Sequence, residues 1–388
     1  MEMRVSRVFD YPFRIFFLST ALWGVLVVPL WVAIVTGRLG ISLAIPALQW
    51  HQHEMLFGFL SSAIAGFLLT AVCVWTNTER LYGARLVGLW LVWVLGRVVM
   101  VWDVGLPYSF IVLINILFLP LVVLDAGLRV WKARQRRQLV LVILLLLLWL
   151  LQCGFLWGSQ PVWLEVALLS AFILMALIGG RITPTFSASW LKQKGQNADT
   201  VVLSPLLDKL ALVSSLVLCA TLFYDHYLGN SILIVFVAMI CGFSHLIRIL
   251  GWQGWRVRAE PLLWILHLSL LWIPVSLFML AIGKLGWIGD KMWLHAGGIG
   301  ALTSLILGVM ARVSLGHTGR PLVLPSGMLT AFMLIQLAAI IRVATYADVI
   351  NWRAGIIITA ICWELAFVIF LWRYTRILLS PRADGKPG

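Results

Sequence analysis

Runs of about 20 apolar residues recur along the whole chain, and each is long enough to cross the ~30 Å hydrocarbon core of a bilayer as an α-helix. Hydrophobic residues make up 62% of the 388 residues and charged residues only 11%, which is more apolar surface than a soluble fold can bury. Backbone groups in lipid must be hydrogen-bonded within their own segment, which favours helices. The ~10-residue alternating segments of a membrane β-barrel do not occur in the sequence. The sequence therefore predicts an all-α polytopic membrane protein.

The apolar runs divide into twelve predicted spans, which we treat as a single transmembrane domain covering residues 1–388. Their approximate limits are 16–36, 53–76, 86–102, 107–126, 139–157, 161–180, 206–224, 229–250, 261–280, 293–312, 327–346 and 354–374. Residues 181–209 are predicted to form a long, mixed loop with a solvated middle, and we find no convincing internal repeat. Tryptophans near the span ends are interpreted as interfacial anchors; they are Trp50, Trp75, Trp102, Trp157, Trp293 and Trp352.

The basic residues are distributed unequally between the two sides of these spans. When the N-terminus is placed in the cytoplasm, 23 of the 29 Lys and Arg residues lie on the inner side and 6 on the outer side. Because Lys and Arg are enriched in cytoplasmic loops, we predict that both termini are cytoplasmic. The same rule accounts for the net charge of +14 without a nucleic-acid partner. The five cysteines are scattered singly, which indicates small buried side chains rather than disulfides.

The segment WHQHEM at 50–55 places two histidines at the outer entrance of the second span. The predicted topology puts His295 at the same level, so His51, His53 and His295 form an outer set. The inner set consists of His245, His267 and His317. His295 and His317 are about 33 Å apart along a straight helix, so the two sets cannot share a metal. Neutral imidazole is a common ligand of haem iron, copper and zinc, although an ordinary hydrogen-bonded role near the interface is the alternative for each histidine.

The two-residue spacing of His51 and His53 has a geometric consequence. Residues two apart on a helix point about 200° apart, so these histidines cannot hold one metal together if both are helical. Otherwise His51 would lie before the helix and bend back. Glu54 is expected to accept a hydrogen bond from a histidine and thereby fix its tautomer.

Three other polar residues are predicted within spans, where charge is costly unless it is used. Arg97 and Arg342 lie at the outer level and suit the bidentate binding of acidic groups such as haem propionates. The alternative is that both extend to the outer interface. Glu364 lies near the middle of the twelfth span and is a proton-relay candidate.

The motifs also resemble the signature of the NnrS family. The matching segments run from about Phe13 to Pro321 in corresponding order, and together they are specific. They are WHQHEMLFGF at 50–59, AGFLLTA at 65–71, Gly96-Arg97, GRITPTF at 180–186, RAEP at 258–261 with Trp264 and His267, LHA at 294–296 and MARVSLGHTGRP at 310–321.

The resemblance implies a bacterial inner-membrane protein that binds haem and copper and takes part in the response to nitric oxide. The residues matched to the family are His51, His53, His245, His267, His295, His317, Arg97, Arg181, Arg312 and Arg320. The chain has no adjacent His-His pair and no H-x-x-x-Y, so it does not reproduce the copper site of haem–copper oxidases. Neither the redox partner nor the fate of nitric oxide follows from the resemblance.

Three hypotheses follow for function. In the first, the outer histidines hold haem with Arg97 or Arg342 near its propionates, and the inner histidines hold a second centre such as copper. In the second, the two histidine layers are entry and exit sites of a haem or metal transporter or assembly factor. In the third, the protein is a structural subunit whose histidines belong to the interfacial belts.

Overall fold

The computed structural model describes residues 5–102, 105–229 and 231–386. These residues contain helices and no strand, and twelve helices are long and apolar enough to cross a membrane. This confirms the predicted all-α polytopic fold. The helices are α1 Pro12–Val35, α2 Ala47–Thr76, α3 Gly83–Val101, α4 Tyr108–Lys132, α5 Arg136–Gly158, α6 Pro161–Gln193, α7 Pro205–Leu228, α8 Ser231–Gly251, α9 Pro261–Lys284, α10 Met292–His317, α11 Met328–Tyr346 and α12 Trp352–Leu379.

Each predicted span overlaps one of these helices, although the eighth included position 230, which lies outside the described residues. The predicted loop over 181–209 was wrong in its first half, because α6 continues to Gln193. Thr183, Ser187 and Leu191 are fully buried at a spacing of four residues, which is one face of a helix. Two of these three residues are polar, so hydropathy alone did not reveal the buried face.

Helices α2, α6 and α10 are the most buried of the twelve. In the most apolar stretch of each, 83%, 83% and 72% of the residues are buried, whereas no other spanning helix exceeds 61%. They recur at every fourth position in the helix order. Protein rather than lipid therefore surrounds a larger share of these three helices than of the other nine.

Helix α8 shows how a span separates lipid from protein. One face exposes large apolar side chains at helical spacing: Phe236, Ile240, Phe243 and Ile247. The opposite face is buried and carries small residues followed by His245 and Arg248. Since lipid can cover the apolar face, the polar residues of α8 point into the protein.

The tryptophan interpretation was wrong at two positions. Trp50 and Trp293 are fully buried rather than interfacial, because the helices that carry them, α2 and α10, are enclosed by other helices. Trp102, Trp157 and Trp352 are exposed, as anchors should be. Both buried tryptophans directly precede a segment that carries a candidate histidine.

The chain divides into two compact units. The first comprises Met1–Leu164, Met310–Ala331 and Trp363–Gly388, and the second comprises Glu165–Val309 and Phe332–Cys362. His51, His53, His317, Arg97 and Glu364 belong to the first unit. The second unit contains His245, His267, His295 and Arg342.

Candidate functional site

Five polar side chains of the first unit form a closed ring, and all five residues are buried. His53 Nδ1 lies 3.0 Å from Glu54 Oε1, and Glu54 Oε2 lies 3.2 Å from Arg97 Nη1. Arg97 Nη2 donates to Asn115 Oδ1 at 2.7 Å. Gln152 Nε2 donates to the Asn115 carbonyl at 3.2 Å and lies 3.2 Å from His53 Nε2, which closes the ring.

The ring determines the protonation of His53. A carboxylate only accepts hydrogen bonds, so the proton of neutral His53 sits on Nδ1, facing Glu54. His53 Nε2 then carries the lone pair and accepts from the Gln152 amide. Glu54 thus fixes the tautomer, as the sequence led us to expect. The charge of Glu54 is balanced by Arg97, which is buried in the ring and does not extend to the interface.

The backbone of α2 is adapted to hold this ring. Residues Glu54–Phe59 form a π-helical segment, a wider turn that is frequent at functional sites. Gly58 lies inside it, and an added Cβ would come within 2.5 Å of Arg97 Nη1 and Glu54 Oε2. A side chain at this position would therefore disrupt the ion pair.

His51 has different surroundings from His53. The α-helical part of α2 begins at Ala47 and includes both histidines, so they point about 200° apart. The half-buried His51 ring stacks on Trp31 with the ring centroids 4.3 Å apart. The two histidines therefore face different environments.

In the second unit, the hydrogen bonds around His245 leave one ring nitrogen open. Its Nε2 lies 3.2 Å from Ser215 Oγ, and this hydroxyl donates its single proton to the Ala211 carbonyl at 2.7 Å. Ser215 must then accept from His245, so the proton of neutral His245 sits on Nε2. The lone pair is on Nδ1, which is buried and has no hydrogen-bond partner among the described residues.

His267 repeats this arrangement with other partners. Its Nε2 lies 2.8 Å from Ser187 Oγ, and Ser187 donates to the Thr183 carbonyl at 2.9 Å. His267 Nδ1 is buried and, within the described part of the chain, has no hydrogen-bond partner. Gly254 packs against this side of the ring, and a Cβ there would lie 2.7 Å from Nδ1.

Arg248 and Trp252 connect the surroundings of the two histidines. Arg248 lies one turn after His245, and its guanidinium carbon is 5.0 Å from the centre of the Trp252 ring. Trp252 in turn makes an edge contact with His267, with the ring centroids 6.3 Å apart. Arg248 is itself held by Asp208 at 2.5 Å and by the Ala176 carbonyl at 3.1 Å.

The second unit also contains two of the predicted outer residues. His295 is half-buried, and its ring centroid lies 5.3 Å from that of Tyr346. Arg342 lies one turn before Tyr346 on α11 and is 8% exposed. Its Nη1 is buried without a hydrogen-bond partner among the described residues.

A local repeat that we missed in the sequence links the two outer histidines. The pattern H-x4-G-x2-S/T-S-x3-G begins at His53 and again at His295. A second π-helical segment, Ala296–Thr303, lies at the same place in the second copy. The second glycine of each copy packs against the preceding helix, α1 for Gly66 and α9 for Gly308, and Gly300 also packs against α9. Gly58 lies closest to Arg97 and Glu54, with Trp23 of α1 next. Searching for spaced glycines beside each histidine would have found it.

The remaining candidates lie apart from these clusters. The His317 ring packs against Phe13 in the first unit, with the ring centroids 5.6 Å apart. Glu364 is half-buried in α12 and forms no ion pair with the described residues. The proton-relay role of Glu364 and the metal role of His317 stay predictions.

The donor set fits a metal centre to different degrees at each histidine. Haem iron and copper bind the lone pair of neutral imidazole. No hydrogen-bond donor among the described residues competes for the lone pair of His245 or His267, although Gly254 packs beside His267 Nδ1. The His53 lone pair faces the Gln152 amide, which would have to move aside. Across the residues described, no three His, Cys, Asp or Glu side chains are grouped to hold a metal ion.

The fold and these residues define a class: a helical membrane protein whose described residues include twelve spanning helices with hydrogen-bonded histidines buried between them. The chain belongs to the NnrS family, because the family model described as NnrS protein matches residues 7–382, nearly the whole chain. This confirms the resemblance drawn from the motifs. A comparison with curated proteins finds no match.

Proposed function

We propose that this NnrS-family protein acts in the bacterial response to nitric oxide at the inner membrane and binds haem or copper through buried histidines. The observation that carries the proposal is the tautomer of His245 and His267. Each ring donates its proton to a serine and keeps a buried Nδ1 lone pair free for a ligand. Haem iron or copper at these nitrogens would supply a centre that binds nitric oxide, a small molecule that reaches it through the lipid.

The outer residues are proposed to hold haem. His53 has its lone pair on Nε2, where a haem iron could bind it. The Gln152 amide, which now donates to this nitrogen, would have to move away. Within the first unit Arg97 already pairs with Glu54, which leaves it less available to a haem propionate. Within the second unit Arg342 suits an acidic group, because its Nη1 lacks a hydrogen-bond partner among the described residues. His51 and His295 complete the outer set of candidates.

Replacing His245 or His267 with Ala is expected to remove most of the haem or copper that copurifies with the protein, because each replacement deletes a ligand nitrogen. The measurement is the absorption spectrum together with metal analysis of the purified full-length protein. His226→Ala is the matched control, since His226 is exposed and lies in none of the clusters.

Unchanged haem and metal content in both variants would contradict the proposal. Stable stoichiometric binding supports a resident centre. Substoichiometric haem or metal that moves across the membrane of reconstituted vesicles would instead favour a transporter.

Ser187→Ala tests the tautomer argument separately from the ligand itself. Without the hydroxyl, His267 Nε2 loses the acceptor that keeps its proton in place, so metal affinity is expected to fall about 10- to 100-fold. Competition with a chelator of known affinity measures this change. Ser269→Ala is the control. Ser269 lies on α9 with His267, but its hydroxyl donates to the Ile265 carbonyl and not to the histidine. Equal affinities in the two variants would refute the positioning role.

A further inference from the structure

The first unit contains a cavity of about 550 Å³ whose lining the proposed metal centre at His245 and His267 does not use. Its lining includes Tyr11, Arg80, Tyr82 and His317. The volume falls within the range of about 300–1,000 Å³ that is usual for small-molecule sites. The predicted orientation places the cavity at the cytoplasmic face, where α2 ends and the loop to α3 begins.

Arg80 is a cation without an acidic partner in this cavity. Its guanidinium carbon lies 4.3 Å from the centre of the Tyr11 ring and 5.7 Å from that of Tyr82. It forms no ion pair with the described residues, and its Nε is buried without a hydrogen-bond partner. Glu79 also lines the cavity, but it is exposed, where water and salt screen its charge. Aromatic faces hold Arg80 in place and leave its fork free for an anion.

His317 adds a second polar group to the same cavity. None of the described residues forms a hydrogen bond with its ring, which is positioned by packing on Phe13. Arg382 donates to the His317 carbonyl at 2.7 Å and so fixes the backbone there. The charge of Arg382 is balanced by Asp384 at 2.6 Å, so it does not compete with Arg80 for an anion.

The loop that carries Arg80 is held from α4. Asn77 ends α2 in a left-handed conformation with φ +51°, and Arg129 donates to Thr78 Oγ1 at 3.1 Å and to the Glu79 carbonyl. Arg129 is in turn paired with Asp125 at 2.9 Å. These bonds define the course of the loop before any ligand binds, which reduces the entropy lost on binding.

We propose that this cavity binds a phosphate group, presented by the head group of an anionic phospholipid or by a soluble phosphate ester. The planar fork of Arg80 matches two phosphate oxygens, and an N–H of His317 can reach a third. Val74, which is 71% exposed, also lines the cavity and offers apolar surface to a lipid chain. The site is independent of haem or copper binding at His245 and His267.

The test measures binding to the purified full-length protein by calorimetric titration. One ligand is glycerol 3-phosphate and the other is dihexanoylphosphatidylglycerol, with dihexanoylphosphatidylcholine as the zwitterionic reference. Arg80→Gln is expected to raise the dissociation constant at least tenfold. Arg137→Gln, an exposed arginine on the same predicted face, should stay within twofold of the unmodified protein.

Each outcome decides the proposal. Saturable binding of glycerol 3-phosphate supports a soluble ester, and saturable binding of the phosphatidylglycerol alone supports a lipid head group. Absence of saturable binding by both, or unchanged binding by Arg80→Gln, overturns it. If Arg80→Gln does not fold, Arg80→Lys keeps the charge but loses the fork, and an unchanged affinity in that variant overturns the proposal equally.

Discussion

Arg97→Met is expected to lower the free energy of unfolding by about 3–5 kcal/mol, because it leaves the carboxylate of Glu54 buried without a counter-charge. Both side chains are almost completely enclosed, at 6% and 0% exposure, so water cannot replace the lost partner. The measurement is equilibrium unfolding of the purified protein in mixed detergent micelles. Glu54→Gln combined with Arg97→Met should recover much of the loss, since no charge is then buried.

The control for this pair is Lys291→Met. Lys291 pairs with Glu165 at 2.5 Å, and the two side chains are 39% and 9% exposed. Water reaches the ammonium of this pair, so its loss is expected to lower the free energy of unfolding less than loss of the enclosed Arg97–Glu54 pair. Burial disfavours the Lys291 ammonium, but Glu165 and Asp290 outweigh this and raise its pKa. Because the pKa is raised on folding, the contribution of Lys291 to the free energy of unfolding is fully present at neutral pH. It is lost only as the pH rises through the pKa of Lys291 in the folded protein. If Arg97→Met lowers the free energy of unfolding no more than Lys291→Met does, the buried Arg97–Glu54 pair does not stabilise the ring as we expect.

Gly300→Ala should destabilise the second unit by about 1–3 kcal/mol, whereas Gly298→Ala should have little effect or stabilise slightly. An added Cβ at Gly300 would overlap the Trp272 ring, and overpacking of this kind forces neighbouring side chains to shift. A Cβ at Gly298 meets no atom within 4 Å. Both glycines lie in one π-helical segment, so differences in helix propensity largely cancel.

Thermal denaturation of the two variants in the same detergent measures this difference. Trp272 also donates to Gln336 at 2.8 Å, and Gln336 donates to Ser304 at 2.7 Å. The Gly300 substitution should therefore disturb a chain of hydrogen bonds as well as the packing. Equal midpoints for the two variants would show that α9 and α10 can move apart at this position without cost.

The fold was largely predictable because lipid imposes a simple rule. Every span must be apolar, about 20 residues long and helical, and a hydropathy profile of the sequence detects apolar runs of this length. The rule fails where a helix leaves the lipid or is enclosed by protein. The inner part of α6 was missed because Thr183 and Ser187 supply its buried face. Trp50 was misread because a tryptophan enclosed by helices has the same sequence signal as one at an interface.

The candidate sites were predictable only in part. Topology placed the histidines in the right spans, but their chemistry depends on serines and amides far away in the chain. His267 meets Ser187, and His53 meets Gln152, across separations of 80 and 99 residues. Such partners are ordinary small polar residues, with no motif of their own. The structure was therefore needed to show which ring nitrogen of each histidine has no hydrogen-bond partner among the described residues.

The π-helical segment after His53 changes the register of α2, so that the residues after it face a different direction from those before it. An α-helix turns about 100° per residue, so one extra residue in a wide turn rotates everything that follows by that amount relative to what precedes it. The surfaces of α2 before and after residues 54–59 are thereby set independently. Positions near His53 can change to suit the ring without altering how Gly66 meets Phe17, and α10 has the same freedom between His295 and Gly308.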